Sequence, residues 1–266
     1  PPYTSVGDLK YPNHVFAMMQ AFKHSLEGFS DGRIKVEVYH SGRLGDLREN
    51  LESVRAGALE ATTPNEGAMS IFYPDLQVIT VPYVFRNAAV AWKVLDGPFG
   101  KKLFGGLTKK GFRIVAVGEN AGFRIWGNNV RPIKTADDMK GIKIRTMEIP
   151  AHQQMVKALG GSPTAVPWLE VYNSLQTGVV DGAELPVIGT LQQNLHEQLK
   201  YITIDNHVYS VVMIALSEKW FQKLPPDLQQ NVLTAGRVAA VASRGISQSL
   251  ANDVVDQFAK SGIEVT

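Results

Sequence analysis

Arg145, in the stretch Gly141-Ile142-Lys143-Ile144-Arg145-Thr146-Met147-Glu148, joins a specific chemistry to a specific place in the chain. A guanidinium is a planar fork of N–H donors that can grip a carboxylate through two parallel hydrogen bonds. Upstream, Thr135 as N-cap, Asp137 and Asp138 in the first turn and Gly141 as the stop predict a short helix. The alternation that follows predicts a strand with Ile142 and Ile144 on one face and Lys143 and Arg145 on the other, closed by Pro150. An arginine at the carboxyl end of a strand, opening into a loop, stands where open α/β sheets bind ligands. Taken alone, such an arginine is more often a surface or structural residue.

Other chemistries leave no trace. The chain has no cysteine, which excludes disulfides, thiol catalysis and cysteine-held metals. Its histidines, at 14, 24, 40, 152, 196 and 207, show no His-x-x-x-His spacing for zinc. No Gly-x-Gly-x-x-Gly, Gly-x-x-x-x-Gly-Lys-Ser/Thr or Gly-x-Ser-x-Gly occurs. We therefore expect no metal, no cofactor and no catalytic residue.

The 266 residues favour two domains over one core. With 44% hydrophobic and 20% charged residues the composition is that of a globular protein. A net charge of +2 with no Lys/Arg run gives no footprint for nucleic acid. No apolar run is long enough to span a bilayer. The start at Pro1-Pro2, without an initiator methionine or an apolar leader, is expected of a product whose targeting segment has been removed.

The elements that must position Arg145 alternate between helix and strand. Helical spacing marks His14 to Phe29, the stripe Leu47, Leu51 and Val54 ending at Gly57, Ala88 to Leu107 with a Gly97-Pro98 break, Ala151 to Leu159, and Trp168 to Thr177. Strands are expected at Arg33–Tyr39, Ala58–Thr63, Gly111–Val117, Phe123–Trp126 and His207–Ser217, with Val78–Phe85 as a strand end or crossover. A helical region with weak breaks at Gly236 and Gly245 fills the chain from Pro225 onward. The βαβ rhythm predicts a mostly parallel sheet in two α/β lobes with a cleft between them.

The order of several segments carries a family resemblance. Gly32-Arg33-Ile34-Lys35-Val36-Glu37-Val38-Tyr39 and the Leu44-Gly45 turn come first, then Tyr73-Pro74, Val81-Pro82-Tyr83 and Gly122-Phe123-Arg124. Met139-Lys140-Gly141-Ile142-Lys143-Ile144-Arg145 and the run from Glu170 to Glu184 complete it. Together they resemble the extracytoplasmic solute-binding proteins of TRAP (tripartite ATP-independent periplasmic) transporters, in the dicarboxylate-receptor, DctP-like class. The resemblance implies a two-lobed periplasmic-binding-protein type II fold with a central ligand cleft. The expected domains are 1–122 with 211–247, and 123–210 with 248–266, hinged near 120–124 and 205–211. It implies a periplasmic protein that carries a small organic acid to a membrane permease, and a monomer is the default expectation.

The resemblance also implies site residues. Arg145 matches the carboxylate clamp and Arg124 a second cleft arginine, the latter otherwise a surface partner of a carboxylate such as Glu119. Asn65, Trp168 and His207 match positions at the pocket, although Trp168 also fits an amphipathic helix and His207 a satisfied structural histidine. Asp8 matches a polar residue at the end of the first strand. Glu184 reads as structural. Where many relatives have a ligand-binding asparagine, this chain has Leu185, which implies an acid with one carboxylate and a partly apolar body, such as a hydroxy, keto, aromatic or lactam acid. The alternatives are a ligand-sensing module for a signalling partner or, further off, an enzyme acting on a carboxylate.

Overall fold

The computed structural model describes residues 13–40, 42–251 and 253–266, so Asp8 lies outside the described residues. Helix α1 (His14–Phe29) starts where the Asn13 side chain accepts from Phe16 N at 2.9 Å, and it buries the stripe Val15, Met18, Phe22 and Leu26. Helix α2 (Leu47–Ala56) carries a reciprocal capping box between Asp46 and Glu49 and stops at Gly57, whose φ of 86° is left-handed. Strand β1 (Ala61–Thr62) and helix α3 (Glu66–Ser70), capped by Asn65, precede a 3-10 turn at Pro74–Thr80. Helices α4 (Ala88–Leu95) and α5 (Pro98–Gly105) follow.

Strand β2 (Phe112–Asn128) leads to β3 (Lys143–Thr146), α6 (Pro150–Ala158) and β4 (Ser162–Ala165). A 3-10 turn at Trp168–Glu170 enters α7 (Val171–Gln176), and β5 (Gly182–Pro186) runs straight into α8 (Val187–Gln192). Strand β6 (Tyr201–Ser217), α9 (Glu218–Lys223), α10 (Pro226–Ala251), α11 (Val254–Lys260) and β7 (Glu264–Val265) complete the described chain.

The sheet runs β1-β6-β2-β5-β3-β4, with β7 also paired to β6. Its axis is the antiparallel pair of β2 and β6, 17 residues each, paired from Phe112 opposite Ser217 to Asn128 opposite Tyr201. At about 3.3 Å per residue each strand reaches roughly 55 Å, long enough to pass through two cores. One pair of apolar clusters packs on the beginning of β2 and the end of β6. It unites Phe112, Tyr209, Met213 and Ala215 with helices α2 to α5, and Val115, Val212 and Ile214 with α1 and α10. A second pair gathers around Ile125, Trp126, Leu185, Ile188, Ile202 and Phe258, with Ile142, Ile144 and Val156 beside it. Between them the β2–β6 register slips from Glu119 to Phe123 and again from Arg124 to Trp126. Ala121 (φ 58°), Gly122 (φ 85°) and, across the ladder, Asn206 (φ 53°) are all left-handed there.

The structure corrects several expectations. The sheet is mixed: among the described residues only β3–β4, β3–β5 and β6–β7 are parallel. The two segments read as separate strands at Gly111–Val117 and Phe123–Trp126 are one strand bent by the bulge. Residues 35–40 take no regular structure; Val36 is held instead by side chains, its N–H on Glu27 Oε1 at 3.0 Å and its carbonyl on Lys23 Nζ at 2.5 Å. Val78–Phe85 begins inside the 3-10 turn, and β1 spans two residues of the expected six. Helix α10 passes unbroken through Gly236 and Gly245. At Gly236 a Cβ would stand 2.0 Å from the Val115 carbonyl oxygen, so that glycine is a point of close approach to β2 and not a break.

Candidate ligand-binding site

Arg145 is the third residue of β3, held between Thr164 of β4 and Ala183 of β5. Its side chain is 2% exposed. Nε donates to the Val166 carbonyl at 2.9 Å, and the guanidinium carbon stands 5.7 Å from the centre of the Trp168 ring, a cation–π distance. Nη1 is buried and has no hydrogen-bond partner among the described residues. Burial, with the charge of Arg124 adding to it, holds this guanidinium down to about 9. It remains a cation at neutral pH, and an anion beside it would counteract both causes by favouring the charged form.

Arg124 lies just past the bulge on β2 and faces a different fate. Its Nε donates to Glu184 Oε1 at 2.5 Å, its Nη2 to Glu184 Oε2 and, at 3.0 Å, to the Glu184 carbonyl, and its Nη1 to Ser210 Oγ at 3.5 Å. Both partners are fully buried. Nδ1 of His152 also contacts Glu184 Oε1, and His207 Nε2 lies 3.9 Å from it. Burial opposes the charge on Glu184, but Arg124 and His152 outweigh it and hold the carboxyl well below its usual range. Ser210 donates to Glu66 Oε1 at 2.6 Å, while Glu66 Oε2 accepts from Val211 N at 3.0 Å. Burial pushes the Glu66 carboxyl up. Arg124 does not pair with Glu119, which instead accepts from Tyr209 Oη at 3.0 Å and Gln248 Nε2 at 2.8 Å.

A small cavity of about 30 Å³ lies over these groups, lined by Arg124, Arg145, Asn65, His14, Asn120, Pro186 and Gln192 among others. It meets a groove of about 820 Å³ along Val15, Leu47, Thr63, Asn65, Arg145, Met147 and Trp168. The small cavity has room for about one water, so an organic acid reaching Arg145 needs the groove or a wider cleft. Asn65 lines both spaces while its Oδ1 caps α3 by accepting from Ala68 N at 2.8 Å. Trp168 lines both as well, on its 3-10 turn beside Arg145.

Two expected site residues are placed elsewhere. Leu185 is fully buried in the apolar cluster with Ile125 and Ile188 and lines neither space. Strand alternation turns Glu184 and Pro186 one way and Leu185 the other, and Pro186 is the one that reaches the cavity. His207 also lines neither space. It stacks on Trp126, ring centres 4.3 Å apart at 14°, and its Nδ1 meets Asp205 Oδ1 at 2.7 Å. Glu184 is structural, as the sequence suggested, but its pairing with Arg124 was missed, as were His14, Asn120, His152 and Gln192 as lining or supporting residues. The one local signal was the Asp181-Gly182-Ala183-Glu184 alternation, which sets Glu184 facing opposite to Leu185. Among the described residues no group of three or more His, Cys, Asp or Glu could hold a metal ion, and no helix is long and apolar enough to cross a membrane.

Two lobes are strung on a pair of through-going strands, and at their junction lies a buried guanidinium with one nitrogen that has no hydrogen-bond partner among the described residues. Residues 8–266 match the model of the bacterial extracellular solute-binding proteins, family 7 (DctP), and the chain belongs to that family. It is 35% identical over 93% of its length, and 74% of the relative's, to a solute-binding protein of Verminephrobacter eiseniae. Two solved TRAP periplasmic solute-binding proteins superpose on it with a TM-score of 0.92, each over 96% of this chain and 84% of the other. One, from a Bordetella species, is 33% identical and has density assigned to pantoate. The other, from Polaromonas sp. JS666, is 31% identical and is bound to D-erythronate. The two-lobed fold is thus that of the TRAP receptors, and the chain is a binding protein, not an enzyme.

Proposed function

We propose that this chain is the periplasmic receptor of a TRAP transporter, that it binds a small acid through one carboxylate on Arg145, and that it delivers the acid to the membrane permease as a monomer. The observation that carries the clamp is the buried Nη1 of Arg145, without a partner among the described residues, on a guanidinium aimed by Val166 and flanked by Trp168. A buried N–H without an acceptor costs about 1–3 kcal/mol, a cost that a ligand carboxylate removes. Arg124 supports a single carboxylate, because Glu184 already takes two of its nitrogens and cancels its charge. A second ligand carboxylate would have no comparable partner in the small cavity.

The preference for one carboxylate therefore rests on the pairing of Arg124, not on Leu185. The amides of Asn65, Asn120, Gln192 and Gln193 beside Trp168, Met147 and Val212 suit a hydroxy acid among the candidate ligands. Pantoate and D-erythronate, in the two solved relatives, are acids of that kind. The lobes are taken as 1–122 with 211–247 and 123–210 with 248–266, closing about the left-handed residues Ala121, Gly122 and Asn206.

A thermal-shift panel of pantoate, D-erythronate, succinate and a C6 sugar acid identifies the ligand, followed by calorimetry on wild type and Arg145→Ala. Removing one partner of a buried pair costs about 3–5 kcal/mol, or roughly two to four decades in affinity. Binding by Arg145→Ala within tenfold of wild type would refute the clamp, and equal affinity for succinate would refute the single-carboxylate preference.

A further inference from the structure

A polar contact that does not involve Arg145 crosses the cleft. His14, the first residue of α1, is 4% exposed. Its Nε2 lies 3.2 Å from Asn120 Oδ1 on β2, and its Nδ1 lies 3.1 Å from Gln192 Oε1 on α8. Helix α1 packs in the cluster with Val115, Val212 and α10, whereas α8 packs in the cluster with Ile125, Leu185 and Phe258. The imidazole therefore bridges the two lobes.

Its hydrogen-bond polarity follows from the groups behind it. Ser210 donates its proton to Glu66 Oε1 at 2.6 Å, so Ser210 Oγ accepts from Asn120 Nδ2 at 3.0 Å. Asn120 thus turns its oxygen to His14, and Nε2 must carry the proton. Burial holds the imidazole down to about 4 against its two side-chain hydrogen bonds, with no charged group among the causes. In the neutral ring Nδ1 is then an acceptor, and the Gln192 amide meets it with its NH2 group; which amide end faces the ring is decided by this chain of donors.

We propose that His14 is an inter-lobe latch, a positioning residue that holds α8 against α1 through Gln192 and so maintains a closed population of the cleft before any ligand binds. The latch is anchored through Asn120 and Ser210 to the Arg124–Glu184 pair, because Ser210 also receives Arg124 Nη1. Closure by this route needs no anion on Arg145, so the latch stands or falls independently of the clamp.

The chain has no cysteine, so spin labels can be placed at will. Lys102→Cys on α5 and Lys157→Cys on α6 are exposed and report the separation of the lobes. In unliganded protein, pulsed electron paramagnetic resonance is expected to show a short-distance population. His14→Ala and Gln192→Ala should each lower it relative to the long one on the order of tenfold, the weight of a buried hydrogen-bond pair. The double variant should go no further, since both remove the same contact. Gln192→Ala leaves α1 untouched, and circular dichroism checks that each variant is folded.

Gln192→Glu supplies a readout that a merely structural histidine would not move. A carboxylate only accepts, so Nδ1 must then be protonated, and the short population should grow as the pH falls from about 8 to about 5. That pH dependence should vanish in His14→Ala/Gln192→Glu. Identical distance distributions in wild type and both single variants, or a Gln192→Glu distribution that ignores pH, would overturn the latch.

Discussion

Arg124 and Glu184 are 60 residues apart in sequence and meet through Nε and Oε1 at 2.5 Å, with Nη2 on the other carboxylate oxygen. The pair divides the labour between the two arginines of the cleft. Arg124 is paired and becomes scaffold, while Arg145 keeps a buried Nη1 that has no hydrogen-bond partner among the described residues. Glu66, His152, His207 and Ser210 surround the pair and tie β5, β6, α3 and α6 to the strand that leaves the bulge.

The two arginines should respond in opposite ways to the same substitution. Lysine keeps the charge but lacks the planar fork. Arg145→Lys is expected to weaken acid binding at least tenfold while the unfolding midpoint stays near wild type. Arg124→Lys should lower the midpoint first. Calorimetric titration beside chemical denaturation separates the two, and a midpoint loss for Arg145→Lys as large as that for Arg124→Lys would contradict the division.

Breaking the scaffold pair from one side leaves a buried charge alone. Glu184→Gln is expected to cost about 3–5 kcal/mol in urea denaturation, whereas Arg124→Met/Glu184→Leu should recover most of that loss, because an apolar pair of similar volume needs no desolvation. If the double variant is as unstable as the single, the pair is favourable in its own right.

Two histidines should give stability profiles of opposite slope. For His207, burial opposes the charge, but the hydrogen bond to Asp205 and the nearby Glu184 carboxylate outweigh it and raise the imidazole above its ordinary value. Its contribution is then fully present below about pH 6.5 and is lost as the pH rises through the folded value. His14 is held down to about 4, so its contribution is present above 6.5 and is lost as the pH falls toward 4. By linkage that loss is about 3 kcal/mol. The stability gap between wild type and His207→Gln should shrink on going alkaline, and His14→Gln should flatten the acid limb; unchanged profiles would sink both assignments.

The glycines of α10 make a local test of packing. Gly245 has nothing within 4 Å of an added Cβ, and Gly245→Ala should stabilise by about 0.5–1 kcal/mol through helix propensity. At Gly236 the same methyl would meet the Val115 carbonyl oxygen at 2.0 Å. Gly236→Ala should therefore destabilise by about 1–3 kcal/mol, as overpacking does. Thermal denaturation of the two variants checks the sign of each.

Local structure was legible wherever it is set by neighbours in the chain. Asp46 and Glu49 with Gly57 bound α2, and Gly97-Pro98 separates α4 from α5, because caps and breakers act within a turn of the residues they serve. The alternation around Arg145 placed it on a strand end, and the order of the motifs led to the family. The sequence by itself determined these local elements and the presence of a cation at a strand terminus.

Only the tertiary structure decided what that cation faces. Period two says that Leu185 and Glu184 point to opposite faces but not which face is the cleft, so Leu185 went to the core and Glu184 to Arg124. Alternation is equally silent about the direction of a neighbouring strand, and β2 found its main partner in the distant β6, antiparallel. Buried ion pairing depends on which residues the fold brings within hydrogen-bonding distance across tens of positions in the chain. Until β5 lies beside β2, Arg124 and Arg145 are the same residue type at similar strand positions; Glu184 makes one of them scaffold, while the other keeps a buried Nη1 without a hydrogen-bond partner among the described residues.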